Sequence, residues 1–188
     1  AAYLDILGQT TGLAAYAGLF DIADVRHGES VFVTAGAGAV GAAACQLALA
    51  MECHVVASAG SSDKVRWLEE TIGVSEAFCY RDFDSAEGLE AHLASAFPNG
   101  VDVMFDNVGG MQLEAALEHM NDHGRIALCG MISYYKLDYN NDRSINTGPR
   151  NFIQIAERWL KVQGFSAPHY AGRLDEFESR VGQLVAEG

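Results

Sequence analysis

Three glycines near residue 40 have the spacing of a phosphate-binding turn. Gly36, Gly38 and Gly41 form the pattern G-x-G-x-x-G, between a β-branched run at 31–34 and a helix-forming run at 42–48. The first glycine allows a tight turn, the second lets the backbone approach a pyrophosphate, and the third lets the helix pack closely on the sheet. The N–H groups and positive dipole end of that helix would face the phosphates. An ordinary glycine turn is the alternative interpretation.

Strand-like and helix-like segments alternate around this turn. Strands are expected at 30–34, 54–59, 77–80, 101–105, 125–129 and 162–165. Helices are expected at 13–20 with Thr10 or Thr11 as the cap, and at 42–51, 62–71, 85–97, 111–120, 149–159 and 174–186, with a long polar loop at 131–148. This alternation predicts βαβ units and a parallel sheet. With the glycine turn after the first strand, we expect an α/β, doubly wound, six-stranded Rossmann fold in the order 3-2-1-4-5-6.

Composition narrows the class of protein. The chain has 188 residues, of which 49% are apolar, and its net charge of −13 argues against nucleic acid and anionic membranes as partners. No run reaches the ~20 apolar residues of a membrane span, and no signal peptide opens the chain. Four cysteines stand singly, which favours reduced thiols, a cytoplasmic protein and no metal site.

The residues after the second strand bear on the choice of cofactor. In this fold an acidic residue about 20 positions past the glycines binds the ribose 2′-hydroxyl of NAD. This chain has Ala59, Gly60 and Ser61 there, followed by Lys64, which could reach a 2′-phosphate. The pattern therefore favours NADP. The alternative interpretation is that Lys64 is an ordinary helix residue whose side chain contacts only solvent.

Three further stretches carry a family resemblance. AGAGAVG at 35–41, FDNVGG at 105–110 and CGMISYY at 129–135 occur in an order and spacing that resemble the zinc-independent medium-chain dehydrogenase/reductases. Within that family the chain most resembles the prostaglandin reductase, leukotriene B4 dehydrogenase, alkenal and curcumin reductase group. The last two stretches are the more specific ones, and the resemblance covers nearly the whole chain.

That resemblance implies NADPH-dependent reduction of the C=C bond of α,β-unsaturated ketones or aldehydes, with no metal. It implies a cofactor site that begins with the glycine turn and the residue after β-strand two: Gly36, Ala37, Gly38, Ala39, Val40, Gly41 and Gly60. Lys64 and Tyr80 would bind the 2′-phosphate, and Asn107 would lie beside the cofactor. The residues implied around the nicotinamide are Cys129, Gly130, Ile132, Ser133, Tyr135, Phe165 and Ser166. Tyr135 matches the family tyrosine placed near the substrate carbonyl, and is the candidate catalytic residue. From the residues alone, Tyr80 could equally be a strand end, Asn107 a turn former and Tyr135 a surface aromatic.

The resemblance also has departures. Ala14 stands where the family commonly has threonine, and the acidic, asparagine-rich loop from Lys136 to Gly148 replaces a segment that is often proline-rich in relatives. Nothing in residues 1–188 corresponds to the family's N-terminal GroES-like catalytic domain or to the C-terminal return into it. We therefore expect residues 1–188 to be one isolated cofactor-binding domain, inactive or nearly so alone. Its strand-six edge at 162–165 is a candidate homodimer contact.

Other functional classes stay open at this stage. A quinone oxidoreductase of the same superfamily and a non-catalytic nucleotide-binding module both fit the glycine motif. A short-chain dehydrogenase does not, because the Tyr-x-x-x-Lys pair it requires is missing from the sequence.

Overall fold

A six-stranded parallel sheet forms the centre of the molecule. The computed structural model describes residues 11–137 and 148–187, with side chains to residue 184. The strands are β1 Ser30–Val33, β2 His54–Ala59, β3 Glu76–Cys79, β4 Val101–Asp106, β5 Met120–Leu128 and β6 Lys161–Gly164. Their order is β3-β2-β1-β4-β5-β6, and every pairing is parallel. The predicted doubly wound Rossmann order is therefore confirmed.

Helices cover both faces of the sheet. They are α1 Gly12–Tyr16, α2 Ala39–Ala50, α3 Ser62–Trp67, α4 Ala86–Ala96, α5 Gly110–His119, α6 Ile153–Glu157 and α7 Leu174–Glu187. Helices α1 and α3 each continue into a π-helical turn, and short 3-10 helices span Tyr80–Asp82 and Ala167–Arg173. No helix in the described part of the chain is both long and apolar enough to cross a membrane.

The central strand supplies apolar side chains to both faces. Val31 and Val33 belong to the core shared with α1, α2 and α7, whereas Phe32 between them belongs to the core shared with α4 and α5. All three side chains are fully buried. A strand that is covered on both sides must be apolar at consecutive positions, which explains the unbroken run that marked it in the sequence.

Several predicted boundaries were wrong for identifiable reasons. Strand β5 begins at Met120 instead of 125, because the polar turn residue Asn121 donates a hydrogen bond to Asp102 on β4, at 2.7 Å, and keeps the segment paired through an irregular register. Thr11 precedes α1, but its side chain caps nothing in the described chain. The other proposed cap, Thr10, and most of the predicted loop, residues 138–147, lie outside the described residues. The helix expected from Pro149 begins only at Ile153.

Candidate functional site

The predicted site residues lie along one edge of the sheet. All strands are parallel, so their carboxyl ends meet at the same edge. The predicted residues follow β1 (Gly36 to Gly41), β2 (Gly60), β3 (Tyr80), β4 (Asn107), β5 (Cys129 to Tyr135) and β6 (Phe165, Ser166). Strands β2 and β4 lie on opposite sides of β1, so the strand order reverses its direction at β1. Ligands of open α/β sheets bind at the point where the strand order reverses.

The glycine turn after β1 forms a backbone cradle. Its entry is fixed by a hydrogen bond from the Gly36 N–H to the Ser58 carbonyl at 2.8 Å and by the left-handed backbone of Ala35, at φ +51°. A Cβ on Gly41 would overlap the Ala35 carbonyl oxygen and lie 2.9 Å from the Gly36 Cα. Helix α2 therefore begins in close contact with the end of β1, as the motif predicts.

The start of α2 has the geometry that a phosphate needs. Gly38 and Ala39 are exposed, and no side chain within the described residues caps the helix. The first N–H groups of a helix have no intrahelical acceptor. This end of the twelve-residue helix therefore offers N–H donors and a positive dipole end to an anion. The residues present fit a pyrophosphate group.

A cluster of polar and cationic groups surrounds Gly60 at the ends of β2 and β3. A Cβ on Gly60 would lie 3.4 Å from Cε1 of Tyr80 and 3.9 Å from Cζ of Arg81. Arg81 Nε donates a hydrogen bond to the Tyr80 hydroxyl at 3.4 Å, and this contact raises the pKa of the guanidinium. Lys64 is exposed in the first turn of α3. The neighbouring Asp63 is paired with Arg66, with 3.4 Å between the two groups.

Sequence reasoning missed Arg81. It directly follows Tyr80. The signal that could have identified it is a positively charged residue just after β3, because the end of β3 lies next to the end of β2 in the sheet. Tyr80 was expected to end β3, but it begins the 3-10 helix Tyr80–Asp82. That tight turn carries the Arg81 guanidinium towards Gly60, a placement that an extended strand would not predict.

Buried polar groups join β1 to β4 where the strand order reverses. The Thr34 hydroxyl donates to Asp106 Oδ1 at 2.8 Å and accepts the Asn107 N–H at 2.8 Å. The Asn107 side-chain amide donates to the Thr34 carbonyl at 2.8 Å. The Asp106 carboxyl also accepts the N–H groups of Val108 and Gly109, at 2.9 and 3.0 Å. Thr34 and Asp106 are both fully buried.

Burial raises the pKa of the Asp106 carboxyl, although the three groups that donate to it oppose the shift. Its backbone carbonyl accepts hydrogen bonds from the N–H groups of Cys129 and Gly130, at 2.8 and 3.1 Å. One residue thus links the carboxyl ends of β1, β4 and β5.

The loop that follows β5 folds over the turn between β4 and α5. Ser133 donates from its backbone N–H to the Val108 carbonyl at 3.2 Å, and its hydroxyl donates to the same carbonyl at 2.5 Å. Gly109 and Gly110 adopt left-handed backbone, at φ +70° and +59°. A Cβ on Gly109 would lie 3.0 Å from the Tyr134 ring, so the two glycines permit this close packing.

Tyr135 points its hydroxyl back towards Gly130. The hydroxyl accepts the Met131 N–H at 3.4 Å, while 66% of the residue's surface is exposed. An oxygen that accepts from the backbone keeps its own proton available for donation. Ile132 is also exposed, at 58%. Both residues therefore present surface at this edge, as a loop facing a ligand would.

The segment after β6 is held by aromatic packing. The Phe165 ring lies 6.2 Å from Phe105 and 6.1 Å from Tyr170, both edge-on. A Cβ on Gly18 would lie 2.7 Å from the Phe165 ring, so α1 and its π-turn approach this segment closely. Ser166 follows as an exposed residue. The structure thus brings the segments that follow all six strands to one edge of the sheet.

A family profile and similar proteins agree with this geometry. The zinc-binding dehydrogenase family matches residues 39–165. The match covers more than half of the chain, which therefore belongs to this family. The resemblance to medium-chain dehydrogenase/reductases that the motifs indicated is confirmed.

Similar proteins include two reductases and a protein solved with NADPH. The chain is 41% identical over 189 residues to (+)-pulegone reductase of Mentha piperita, covering 99% of this chain and 52% of that protein. It is 41% identical over 163 residues to 2-alkenal reductase (NADP(+)-dependent) of Nicotiana tabacum, covering 87% and 45%. The structure of CurA from Vibrio vulnificus in complex with NADPH matches with a TM-score of 0.86 at 33% identity, covering 100% of this chain and 54% of CurA. The chain spans about half the length of these relatives.

The family name raises the question of zinc, and the described residues do not fit it. In that part of the chain no three His, Cys, Asp or Glu side chains gather in a way that could hold a metal ion. Burial raises the pKa of Cys45 to about 12 and that of Cys129 to about 11, so these thiols stay protonated at neutral pH. Zinc binds the thiolate form, which the two sites disfavour.

Proposed function

We propose that this chain is the NADPH-binding domain of an oxidoreductase that reduces the C=C bond of α,β-unsaturated ketones or aldehydes. The observation that carries the proposal is the set of groups around Gly60. Tyr80 and Arg81 adjoin Gly60 and supply a hydroxyl and a cation, exposed Lys64 follows in the first turn of α3, and the acid Asp63 beside it is paired with Arg66. A 2′-phosphate carries negative charge that these cations would bind, whereas the bare 2′-hydroxyl of NADH would gain nothing from them.

The remaining cofactor contacts follow from the order of the strands. The glycine turn and the start of α2 would bind the pyrophosphate, and Asn107, the loop at 129–135 and the segment at 165–166 would surround the nicotinamide half. Similarity to a pulegone reductase, an NADP-dependent alkenal reductase and an NADPH-bound CurA supports the substrate class, a small-molecule enone or enal.

Tyr135 has the chemistry for the substrate carbonyl. When bound, NADPH would supply a hydride to the β-carbon of the enone. Negative charge then develops on the carbonyl oxygen, where a hydroxyl donor is most stabilising. The Tyr135 hydroxyl is exposed and keeps its proton, because it accepts the Met131 N–H. Tyr135→Phe in the full-length enzyme is expected to lower kcat about a hundredfold with unchanged NADPH affinity; an unchanged kcat would remove the tyrosine from this role.

The domain would work with a partner domain and as a dimer. We propose that the catalytic half of the enzyme lies outside this chain, so that the chain alone binds the cofactor but reduces enones at a negligible rate. Measurable enone reduction by the 188-residue chain would contradict this. We also propose a homodimer through β6, which is the last strand of the sheet and carries exposed Gln163 and Gly164.

Calorimetric titration with NADPH and NADH tests the cofactor assignment. We expect the wild-type chain to prefer NADPH, and Lys64→Ala and Arg81→Ala each to weaken NADPH about fivefold or more while leaving NADH unchanged. Arg26→Ala is the matched control, since this exposed cation precedes β1 at the opposite edge. The Arg26→Ala variant loses one positive charge, as the two test variants do, and should still prefer NADPH over NADH to the same degree.

Other outcomes would favour other functions. Equal affinity for both cofactors, unaffected by Lys64→Ala and Arg81→Ala, would overturn the 2′-phosphate site. Quinone reduction by the full-length protein without enone reduction would move the assignment to the quinone oxidoreductases. Cofactor binding without turnover of either substrate class by the full-length protein would indicate a nucleotide-binding module.

A further inference from the structure

The hydrogen bonds at the β1–β4 junction fix the orientation of one side chain that faces the proposed cofactor. The Thr34 carbonyl oxygen is an acceptor only, so the group that approaches it at 2.8 Å must be the amide nitrogen of Asn107. The carbonyl oxygen Oδ1 of Asn107 then points the other way. No described residue donates a hydrogen bond to that oxygen, and Asn107 is only half-buried.

The backbone of Asn107 is held by the same partners. Its N–H donates to the Thr34 hydroxyl at 2.8 Å, and that hydroxyl in turn donates to Asp106 at 2.8 Å. The hydroxyl has one proton and uses it on Asp106, so the Asn107 N–H meets an oxygen lone pair. The Asp106 carboxyl is itself fixed by two backbone N–H groups of the next turn, Val108 and Gly109. Every group in this chain of bonds has one orientation that satisfies all of them.

We propose that Thr34 and Asp106 are positioning residues, which hold Asn107 so that its Oδ1 accepts a hydrogen bond from the nicotinamide half of the cofactor. This inference rests on the proposed function. The donor would be a ribose hydroxyl or an amide N–H, because an acceptor-only oxygen cannot bind a phosphate. The position supports this choice, since Asn107 follows β4, on the opposite side of the glycine turn from Gly60 and Arg81.

A pair of substitutions at Thr34 separates positioning from stability. Thr34→Val keeps the shape but removes the hydroxyl, whereas Thr34→Ser keeps the hydroxyl and removes a methyl group. The ligands are NADPH and 2′,5′-ADP, which contains only the adenosine half with its phosphates. We expect Thr34→Val to weaken NADPH about tenfold and 2′,5′-ADP less than twofold, and Thr34→Ser to bind NADPH within about twofold of wild type.

Asn107→Ala supplies the second arm, because it leaves the Thr34–Asp106 hydrogen bond in place. It should weaken NADPH at least as much as Thr34→Val does, and the double variant should be no weaker than Asn107→Ala alone, since the Thr34 hydroxyl is proposed to act only through Asn107. If Thr34→Val does not fold, Thr34→Ala, which also removes the hydroxyl, takes its place in the comparison with Asn107→Ala.

The two ligands distinguish failure of this inference from failure of the proposed function. If wild type binds neither ligand, the proposed function fails, and this inference fails with it. If wild type binds both ligands and the variants bind NADPH as wild type does, the inference alone is wrong. Equal weakening of NADPH and 2′,5′-ADP would likewise overturn it, because that result indicates a general structural role.

Discussion

At the scale of single residues, Asp106 is subject to two opposing effects. Burial disfavours its charged form, while hydrogen bonds from Thr34, Val108 and Gly109 favour it, and burial is the larger effect. Its pKa is therefore raised above the ordinary value of 3.8. A carboxyl group with a raised folded-state pKa binds its proton more tightly when folded than when unfolded. Its contribution to the free energy of unfolding then falls as pH rises from the ordinary value to the folded pKa, and is constant above it.

We expect this dependence to disappear in Asp106→Asn. The difference in free energy of unfolding between wild type and Asp106→Asn should decrease as pH rises above about 4 and then level off. Urea unfolding at a series of pH values measures it, and subtracting the variant removes the contributions of the other carboxylates. A difference that grows with pH would mean that the hydrogen bonds outweigh burial.

Residue positions were predictable where backbone geometry alone requires them. Gly41 could be assigned from spacing, because no side chain fits beside Ala35. Asn107 was predicted to lie beside the cofactor only through the family resemblance, since from the residues alone it could equally be a turn former. Arg81 and Thr34 could not be predicted, since one depends on a 3-10 turn and the other on a hydrogen bond between residues 72 positions apart. Contacts of that separation leave no local pattern in the sequence.

At the scale of elements, the glycine turn is the most constrained part of the fold. We expect Gly41→Ala to lower the free energy of unfolding by about 1–3 kcal/mol, because the new methyl group would force the start of α2 away from β1. NADPH affinity should fall as well, since the N–H groups of α2 move with it. Gly182→Ala is the control: its Cβ meets nothing within 4 Å in α7, and alanine is the better helix former. Chemical denaturation and calorimetry on both variants check the prediction, and a fully stable Gly41→Ala would contradict it.

Element types were predicted better than element ends. The apolar runs of β1, β2 and β4 identified these strands because both of their faces are buried. The start of β5 was wrong by five residues, since His123 and Gly124 have the composition of a turn and yet lie within the strand. His123 has a left-handed backbone, at φ +62°, and its ring stacks on Trp159 with 5.3 Å between centroids. That long-range contact overrides the local preference.

At the scale of the whole molecule, the edge strand β6 predicts how two copies would meet. Phe165 donates its N–H to Leu128 on β5, at 3.3 Å, and backbone direction alternates along a strand. Val162 and Gly164 therefore direct their N–H and C=O groups away from β5, where a second β6 could pair with them. Gly164 has open space at its Cβ position, so a side chain there should not disturb the fold.

We expect the wild-type chain to sediment as a dimer and Gly164→Lys as a monomer, because lysine charges on two adjoining edges repel each other and disfavour pairing. Gly172→Lys is the matched control, since its Cβ also has open space but the residue lies in the 3-10 helix Ala167–Arg173, outside the sheet. Sedimentation velocity distinguishes the two species, and circular dichroism checks that each variant is folded. A dimer that persists in Gly164→Lys would place the contact on another surface, and a wild-type monomer would remove the dimer from the proposed function.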